Sequence, residues 1–160
     1  MLKTRPGIEA DISEICFFAS TADELYFCFP KARFPLTADQ LSAAISQRSD
    51  STVVEENGKV LGFANFYRWG VQGTCSIGNV MVSPHARKRG VARLLMEHMV
   101  ALAYAKYEAA EVTVSCFNLN TAGLLLYPTL GFKPYEVEQR KDPQGGRIAL
   151  VHMRHCKNQP

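Results

Sequence analysis

A strand that runs into a long helix near the middle of the chain limits the choice of fold more than any other feature. Residues 74–82 are predicted to form a strand, which Ser83-Pro84 ends. A helical pattern follows over 88–106, and its apolar positions fall on one face. Those positions are Val91, Leu94, Leu95, Met99 and Leu102. A strand, a short polar loop and a long helix predict a β-α-β crossover inside a sheet.

The rest of the chain alternates between strand and helix patterns. Strands are predicted at 2–6, 52–55, 60–67, 112–116, 132–139 and 147–154, and helices near 9–19, 38–48 and 120–130. Asn57-Gly58 is a strong hairpin signal between two of these strands. Residues 20–36 are rich in aromatic side chains and broken by Pro30 and Pro35, so they are either a packed loop or a binding surface.

The order of elements, β-α-α-β-β-β-α-β-α-β-β, predicts the fold class. We expect an α/β (α+β) fold with a mixed, mostly antiparallel central sheet of six or seven strands, flanked by about four helices. The chain has 160 residues, so a single domain over 1–160 is predicted.

Composition excludes several classes of function. The net charge of +3 is too small to predict a nucleic-acid or membrane partner. The five cysteines are odd in number and form no C-x-x-C pair, so reduced thiols and a cytoplasmic location are expected. His152 and His155 are three residues apart in a predicted strand and point to opposite faces, so no metal site is predicted.

The start of the long helix has the chemistry of an anion site. Unpaired N–H groups and the positive end of the helix dipole lie there, and Gly90 lets a ligand approach the backbone. Four cationic side chains surround the glycine, namely Arg87, Lys88, Arg89 and Arg93. These features predict a phosphorylated ligand, most simply a diphosphate. The Walker A and dinucleotide-binding motifs are both excluded, because the loop has a single glycine and continues Val-Ala-Arg.

The same residues resemble a known family. Arg87-x-x-Gly90-x-Ala92 is similar to the R/Q-x-x-G-x-G/A signature of the GNAT acetyltransferases, and Val82-Ser83-Pro84 resembles its usual V-x-P lead-in. A second motif of that family is matched by Asn120, Leu126, Tyr127, Leu130, Gly131 and Phe132. The order of elements resembles the family over essentially the whole chain.

The resemblance implies acetyl-CoA as co-substrate and gives each motif a role. The backbone of Val80, Met81 and Val82 would pair with the pantetheine arm. Asn120 would contact the cofactor near the pantetheine, and Tyr127 would lie near the sulfur as general acid. The pyrophosphate would be held by Arg87 and by the N–H groups of Lys88, Arg89, Gly90, Val91, Ala92 and Arg93.

The general base is not predicted. Many relatives have a glutamate five residues before the asparagine, but this chain has Ser115 there. Glu111, at the start of the strand, is expected to be too distant. Asp23, Glu24 and a water chain ending at Asn79 or Ser115 stay open.

The acceptor side is predicted less closely than the donor side. Glu24, Tyr26 and Phe27, in the unassigned segment, are predicted to bind the acceptor together with Asn79 and Ser115. Acidic and aromatic groups there predict a positively charged acceptor.

The predicted function is transfer of an acetyl group from acetyl-CoA to a primary amine, by direct attack in a ternary complex. The amine belongs to a small molecule or is an exposed protein or peptide amine. A non-catalytic acyl-CoA-binding module is the alternative, and a nucleic-acid-binding domain is a third reading that the low net charge opposes. Edge strands near the C-terminus are a candidate homodimer surface.

Overall fold

The protein is built on one seven-stranded sheet, as seen in a computed structural model that describes residues 1–157. The strands are β1 (Lys3–Pro6), β2 (Ser49–Glu56), β3 (Lys59–Arg68), β4 (Thr74–Val82), β5 (Glu111–Phe117), β6 (Lys133–Lys141) and β7 (Arg147–His155). The helices are α1 (Ile12–Ile15), α2 (Ala22–Cys28), α3 (Ala38–Ser46), α4 (Val91–Tyr107) and α5 (Thr121–Thr129). The predicted mixed fold is confirmed, with five helices in the described chain where about four were expected.

The spatial order of the strands is β1-β2-β3-β4-β5-β7-β6. The β4–β5 pair is parallel and joined by α4, and the other neighbouring pairs are antiparallel. Helix α4 therefore makes the predicted β-α-β crossover.

The two parallel strands separate halfway along their length. Their pairing runs from Thr74–Glu111 to Ile77–Val114, and β4 continues to Val82 without a β5 partner. Asn79 has a φ of 50°, and the register between β3 and β4 shifts beside it. Such a bulge bends a strand, so it turns the end of β4 away from β5 and opens a cleft between them.

The first helix is much shorter than the helix predicted at 9–19. A 3₁₀ turn at Glu9–Asp11 leads into the single turn of α1. The Asp11 carboxylate accepts hydrogen bonds from the Ile8 N–H and the Arg5 side chain, which fixes this turn. The next N–H groups, of Phe17 and Phe18, bond three residues back, and so the helix ends.

Two further differences from the predicted elements affect the cleft. The unassigned segment 20–36 contains α2, which is capped by the Thr21 hydroxyl accepting from the Glu24 N–H. Helix α4 begins at Val91, three residues later than predicted. Lys88 and Gly90 have φ values of 63° and 81°, which are not helical, so the helix cannot start before them.

The core lies on both faces of the sheet. One layer packs α4 against the sheet through Leu95, Met96 and Met99, which are fully buried. The other layer packs α1, α2 and α3 onto the opposite face. Val53 and Val54 are neighbours in β2 and belong to different layers, as the alternation of a strand requires.

Candidate active site

The cleft between β4 and β5 holds two adjoining cavities. The first has a volume of about 630 Å³ and extends to the start of α4. The second has about 280 Å³ and lies on the side of β5 and β7. Five residues line both, namely Phe27, Cys28, Val80, Asn120 and Tyr127. The first cavity is large enough for an extended organic ligand, and the second suits a smaller one.

The start of α4 forms one end of the first cavity. Gly90 is the N-cap, and no side chain within residues 1–157 accepts a hydrogen bond from the first turn. The N–H groups of Val91, Ala92 and Arg93 are therefore available to a ligand, and all three residues line the cavity. The left-handed conformation of Gly90 directs the chain into the helix without a side chain over this site.

Three of the four predicted cationic side chains belong to residues that line the first cavity. Arg87 forms an ion pair with Glu24 at 3.5 Å, and Arg93 donates to the Thr129 hydroxyl at 2.9 Å. Lys88 also lines this cavity. Arg89 instead pairs with Glu56 of β2 and does not line it. The site keeps a positive field even without Arg89.

Tyr127 lies where the cavities meet. The Asn120 side chain caps α5 by accepting from the Gly123 N–H, which fixes the helix that carries Tyr127. A Cβ at Gly123 would lie 2.8 Å from the Cys116 sulfur, so only glycine allows α5 to pack this closely on β5.

The Tyr127 side chain is held as a buried, protonated phenol. Its ring packs edge-on against Phe132 with centroids 6.1 Å apart. Burial raises the pKa of the Tyr127 hydroxyl above its ordinary value, so the group keeps its proton at neutral pH. Within residues 1–157 the hydroxyl makes no hydrogen bond, and it is available to a ligand in the cleft.

The backbone bulge of β4 is tied to α2 by an amide network. The Asn79 side chain donates to the Cys28 carbonyl at 3.0 Å and accepts from Asn65 at 3.0 Å. Arg48 donates to the Asn65 side chain at 3.1 Å. Asn79 lines the second cavity, and its bonds hold the wall between the two cavities in place.

Of the five residues predicted to bind the acceptor, three line the second cavity: Phe27, Asn79 and Ser115. Glu24 lines the first cavity instead, where it accepts from the Ser20 N–H at 2.8 Å. Tyr26 lines neither, because its hydroxyl donates to the Lys141 carbonyl and its ring stacks on Phe117.

Sequence reasoning missed a hydrogen-bonded chain in the second cavity. Ser115 and His152 are cross-strand neighbours, and the Ser115 hydroxyl lies 2.7 Å from His152 Nδ1. His152 Nε2 lies 2.8 Å from the Glu138 carboxylate on β6. The one indication of this chain in the sequence is that the serine, the histidine and the glutamate all lie in predicted strands. Their contact depends on the strand register, which the sequence does not show.

Metal and membrane features are absent from the part of the chain that the structure describes. No group of three or more His, Cys, Asp or Glu side chains within residues 1–157 is placed to hold a metal ion. Over the same residues, no helix combines the length and the apolar character needed to cross a membrane. His155 contacts Tyr104 and Phe132, away from the cavity that His152 lines.

Comparison with known families agrees with this geometry. The model of the acetyltransferase (GNAT) family matches residues 16–132, which include both cavities' shared residues and the start of α4. The chain belongs to the GNAT family. The predicted resemblance and the predicted enzyme class, an acetyltransferase, are therefore confirmed. A search of curated proteins found no match.

Solved GNAT structures share the whole fold. A GCN5-related N-acetyltransferase from Kribbella flavida is 26% identical, with a TM-score of 0.78 and 97% of each chain covered. The yncA protein from Salmonella typhimurium, solved with its cofactor acetyl-CoA, is 19% identical, with a TM-score of 0.78 and coverage of 100% of this chain and 96% of that one. The ribosomal-protein-S18-alanine N-acetyltransferase from Escherichia coli is 19% identical, with a TM-score of 0.77 and the same coverage.

Proposed function

We propose that this GNAT enzyme transfers an acetyl group from acetyl-CoA, bound in the first cavity, to a primary amine bound in the second. The observation that carries the proposal is that the two cavities meet beside Tyr127, where β4 and β5 separate. Two substrates bound there would react by direct attack in a ternary complex, and their proximity would supply much of the rate.

The first cavity fits the donor by its chemistry. The free N–H groups of Val91, Ala92 and Arg93 and the adjacent cations suit a pyrophosphate. The backbone of Val80–Val82 has β3 on one side and no β5 partner on the other, so the amides of a pantetheine arm can pair with it as an added strand. Asn120 lines both cavities and can contact the same arm.

Tyr127 is the proposed general acid. When the amine nitrogen bonds to the carbonyl carbon and the carbon–sulfur bond breaks, the leaving thiolate needs a proton. The Tyr127 hydroxyl can donate it, because burial keeps this group protonated and no other acceptor within residues 1–157 engages it. Backbone N–H groups near Met81 are candidates for stabilising the negative charge on the carbonyl oxygen.

The test is a panel of amines incubated with enzyme and acetyl-CoA while free thiol is measured. The proposal expects thiol release that depends on both enzyme and amine, and that saturates with the amine. A non-catalytic acyl-CoA-binding module would bind acetyl-CoA in calorimetry yet release no thiol with any amine. That second result would refute the proposed function.

A further inference from the structure

The second cavity contains a hydrogen-bonded chain that can remove a proton from an amine. We propose that Ser115 and His152 deprotonate the acceptor amine and that Glu138 positions His152 for this role. The inference rests on the proposed function above and supplies the base that the usual glutamate position lacks. Its geometric basis is the two bonds of 2.7 and 2.8 Å that join the three side chains.

The direction of the hydrogen bonds follows from their partners. Contacts with Arg140 and then His152 lower the pKa of Glu138 to about 2, so its carboxylate is ionised and can only accept. In the neutral imidazole of His152, Nε2 therefore carries the hydrogen and donates a hydrogen bond to Glu138. Nδ1 is left with a lone pair, which accepts the bond from the Ser115 hydroxyl.

The register of three strands assembles this chain. Ser115 on β5 faces His152 on β7, and Glu138 on β6 reaches the same imidazole from the other side. Ser115 and His152 line the second cavity, whereas Glu138 lies behind them and does not. The groups nearest the imidazole are Ser115, Glu138 and the Tyr135 ring, whose centroid is 6.1 Å away. Arg140 binds the same Glu138 carboxylate, and Glu136 is paired with His152 in the register of β6 and β7.

The proton path is balanced. The ammonium form of the acceptor first loses a proton to solvent. The nitrogen of the neutral amine then forms its bond to the carbonyl carbon and gives one proton to Ser115 Oγ, while the Ser115 hydroxyl proton moves to His152 Nδ1. The Glu138 carboxylate stabilises the resulting imidazolium. Tyr127 protonates the departing sulfur at the other end of the reaction, and solvent later restores both groups. No oxidant, metal or covalent enzyme intermediate is needed.

The first test compares turnover in His152→Gln and Ser115→Ala with wild type. General base removal typically costs about 10²- to 10⁴-fold in turnover, and we expect a fall in this range for His152→Gln with an unchanged Kd for acetyl-CoA. His98→Gln is the matched control, since His98 lies on α4 and bonds to Thr4. Wild-type turnover in folded Ser115→Ala and His152→Gln would overturn the proposal.

The separate effects on kcat and KM distinguish a catalytic role from a structural one. We expect His152→Gln to lower kcat and to leave the KM of the amine nearly unchanged, because the imidazole acts on the proton in the transition state. Glu138→Gln should also lower kcat, by a smaller factor, because it removes the negative charge that holds the imidazole in place. Variants whose defect lies only in KM or in folding would give these residues a structural role and overturn the proposal.

A measurement that does not depend on turnover tests the Ser115–His152 relay separately from the proposed function. Nitrogen NMR of the histidine side chains is expected to show His152 as the Nε2–H tautomer in the resting protein. An Nδ1–H tautomer would overturn the relay even if amines are acetylated. Absence of thiol release from wild type with every amine would instead refute the proposed function itself.

The positive charge of the residues that line the second cavity supports a second, independent inference, which concerns the acceptor. Lys31, Arg48 and Arg140 line the cavity, and no Asp or Glu of the described chain does. Within residues 1–157, neither Lys31 nor Arg48 is paired with a carboxylate. This is the opposite of the charge that the sequence analysis assigned to the acceptor site, because Glu24 lines the other cavity.

Arg48 is the most informative of the three cations. It is half-buried between Phe29 and Tyr67, with its guanidinium carbon 5.9 and 5.4 Å from the two ring centroids. Burial lowers the pKa of the Arg48 guanidinium, since the charge loses hydration without gaining an acidic partner. Among residues 1–157, its one hydrogen bond is to the Asn65 side-chain amide, so most of its donors remain free of protein partners there.

We infer that the acceptor carries an anionic group, such as a carboxylate, beside its amine. The anion would pair with Arg48 in the cavity that also holds the Ser115–His152 pair. The surrounding cations also disfavour the ammonium form of the substrate, which helps the amine lose its proton. This inference rests on the proposed function and names the class of its substrate.

The test uses pairs of acceptors in which a carboxylate is replaced by a neutral carboxamide of the same shape, namely amino acids and their amides. We expect kcat/KM to be about 10- to 100-fold higher for the acids, from one charge-assisted contact. Arg48→Gln should remove this preference, and Lys31→Gln should reduce it if Arg48→Gln fails to fold. Arg33→Gln is the control, because Arg33 is exposed and lines neither cavity.

The outcomes are distinct. Equal kcat/KM for acids and carboxamides would overturn the anionic acceptor while leaving acetyl transfer intact. A preference that survives in both Arg48→Gln and Lys31→Gln would also overturn it. No thiol release with any acceptor would refute the proposed function, whereas amino-acid binding measured by calorimetry would still report the charge preference.

Discussion

Replacing Gly90 with glutamate tests the proposed pyrophosphate site. Gly90 is the N-cap of α4, and an added Cβ would meet no atom within 4 Å. The new side chain therefore does not clash, but it places a carboxylate beside the free N–H groups of Val91 and Ala92. That carboxylate occupies the position and carries the charge of the anion that we propose to bind there.

The expected effect follows from the charges. Two unit charges about 4 Å apart near a protein surface repel by about 4 kcal/mol, and solvent reduces this when the side chain moves away. A loss of about 2–4 kcal/mol corresponds to a Kd for acetyl-CoA that rises roughly 30- to 700-fold. The positive φ of 81° adds a separate cost of about 1–2 kcal/mol to the free energy of folding.

Gly58→Glu separates these two effects. Gly58 has a φ of 78°, an added Cβ there also meets nothing within 4 Å, and it lies in the β2–β3 turn outside both cavities. Both variants should lose similar stability in urea unfolding, but only Gly90→Glu should lose affinity for acetyl-CoA in calorimetry. Equal Kd values for folded Gly90→Glu and wild type would refute the donor site.

Three further changes test other parts of the structure. Tyr127→Phe should lower kcat about 10²- to 10⁴-fold with an unchanged Kd for acetyl-CoA, and wild-type thiol release would leave Tyr127 a packing residue. Gly123→Ala should cost about 1–3 kcal/mol in urea unfolding, because its Cβ meets the Cys116 sulfur at 2.8 Å, and wild-type stability would contradict that packing. The hydrogen bond from Arg5 lowers the pKa of Asp11, so the carboxylate stabilises the fold above its unfolded pKa and loses this effect as pH falls through the folded value. Asp11→Asn should thus cost about 1–3 kcal/mol at neutral pH and less in acid, and a cost independent of pH would contradict the pairing.

The sequence was sufficient for the elements that have strong local signals. Gly90, the apolar face of α4 and the Asn57-Gly58 turn each determine a local structure, and the crossover of parallel strands follows from them. The short α1 was not predictable from its apolar spacing. Its start is held by the tertiary pairing of Asp11 with Arg5 from β1, and it ends where the Phe17 and Phe18 N–H groups bond three residues back.

The two cavities differ in how far their lining residues can be predicted from the sequence. A continuous segment from Arg87 to Arg93 contributes most of its residues to the first cavity, apart from Arg89, which turns outward towards Glu56, so sequence reasoning could propose it as one site. Its role in donor binding stays a prediction. The second cavity is formed where separate strands meet. His152 and Arg48 line it and Glu138 lies behind His152, an arrangement that depends on the registers of β5, β6 and β7 and on the amide network at Asn79, none of which leaves a local pattern.

The central claim is that an acetyl group passes from the first cavity to an amine in the second. The most direct measurement uses acetyl-CoA with an isotopically labelled acetyl group and follows the label in the acceptor by mass spectrometry, while free thiol is counted in the same reaction. The account predicts one labelled acetyl group on the amine nitrogen for each thiol released, with both signals falling together in Tyr127→Phe. Thiol release without label on any amine would show hydrolysis in place of transfer and would contradict the account.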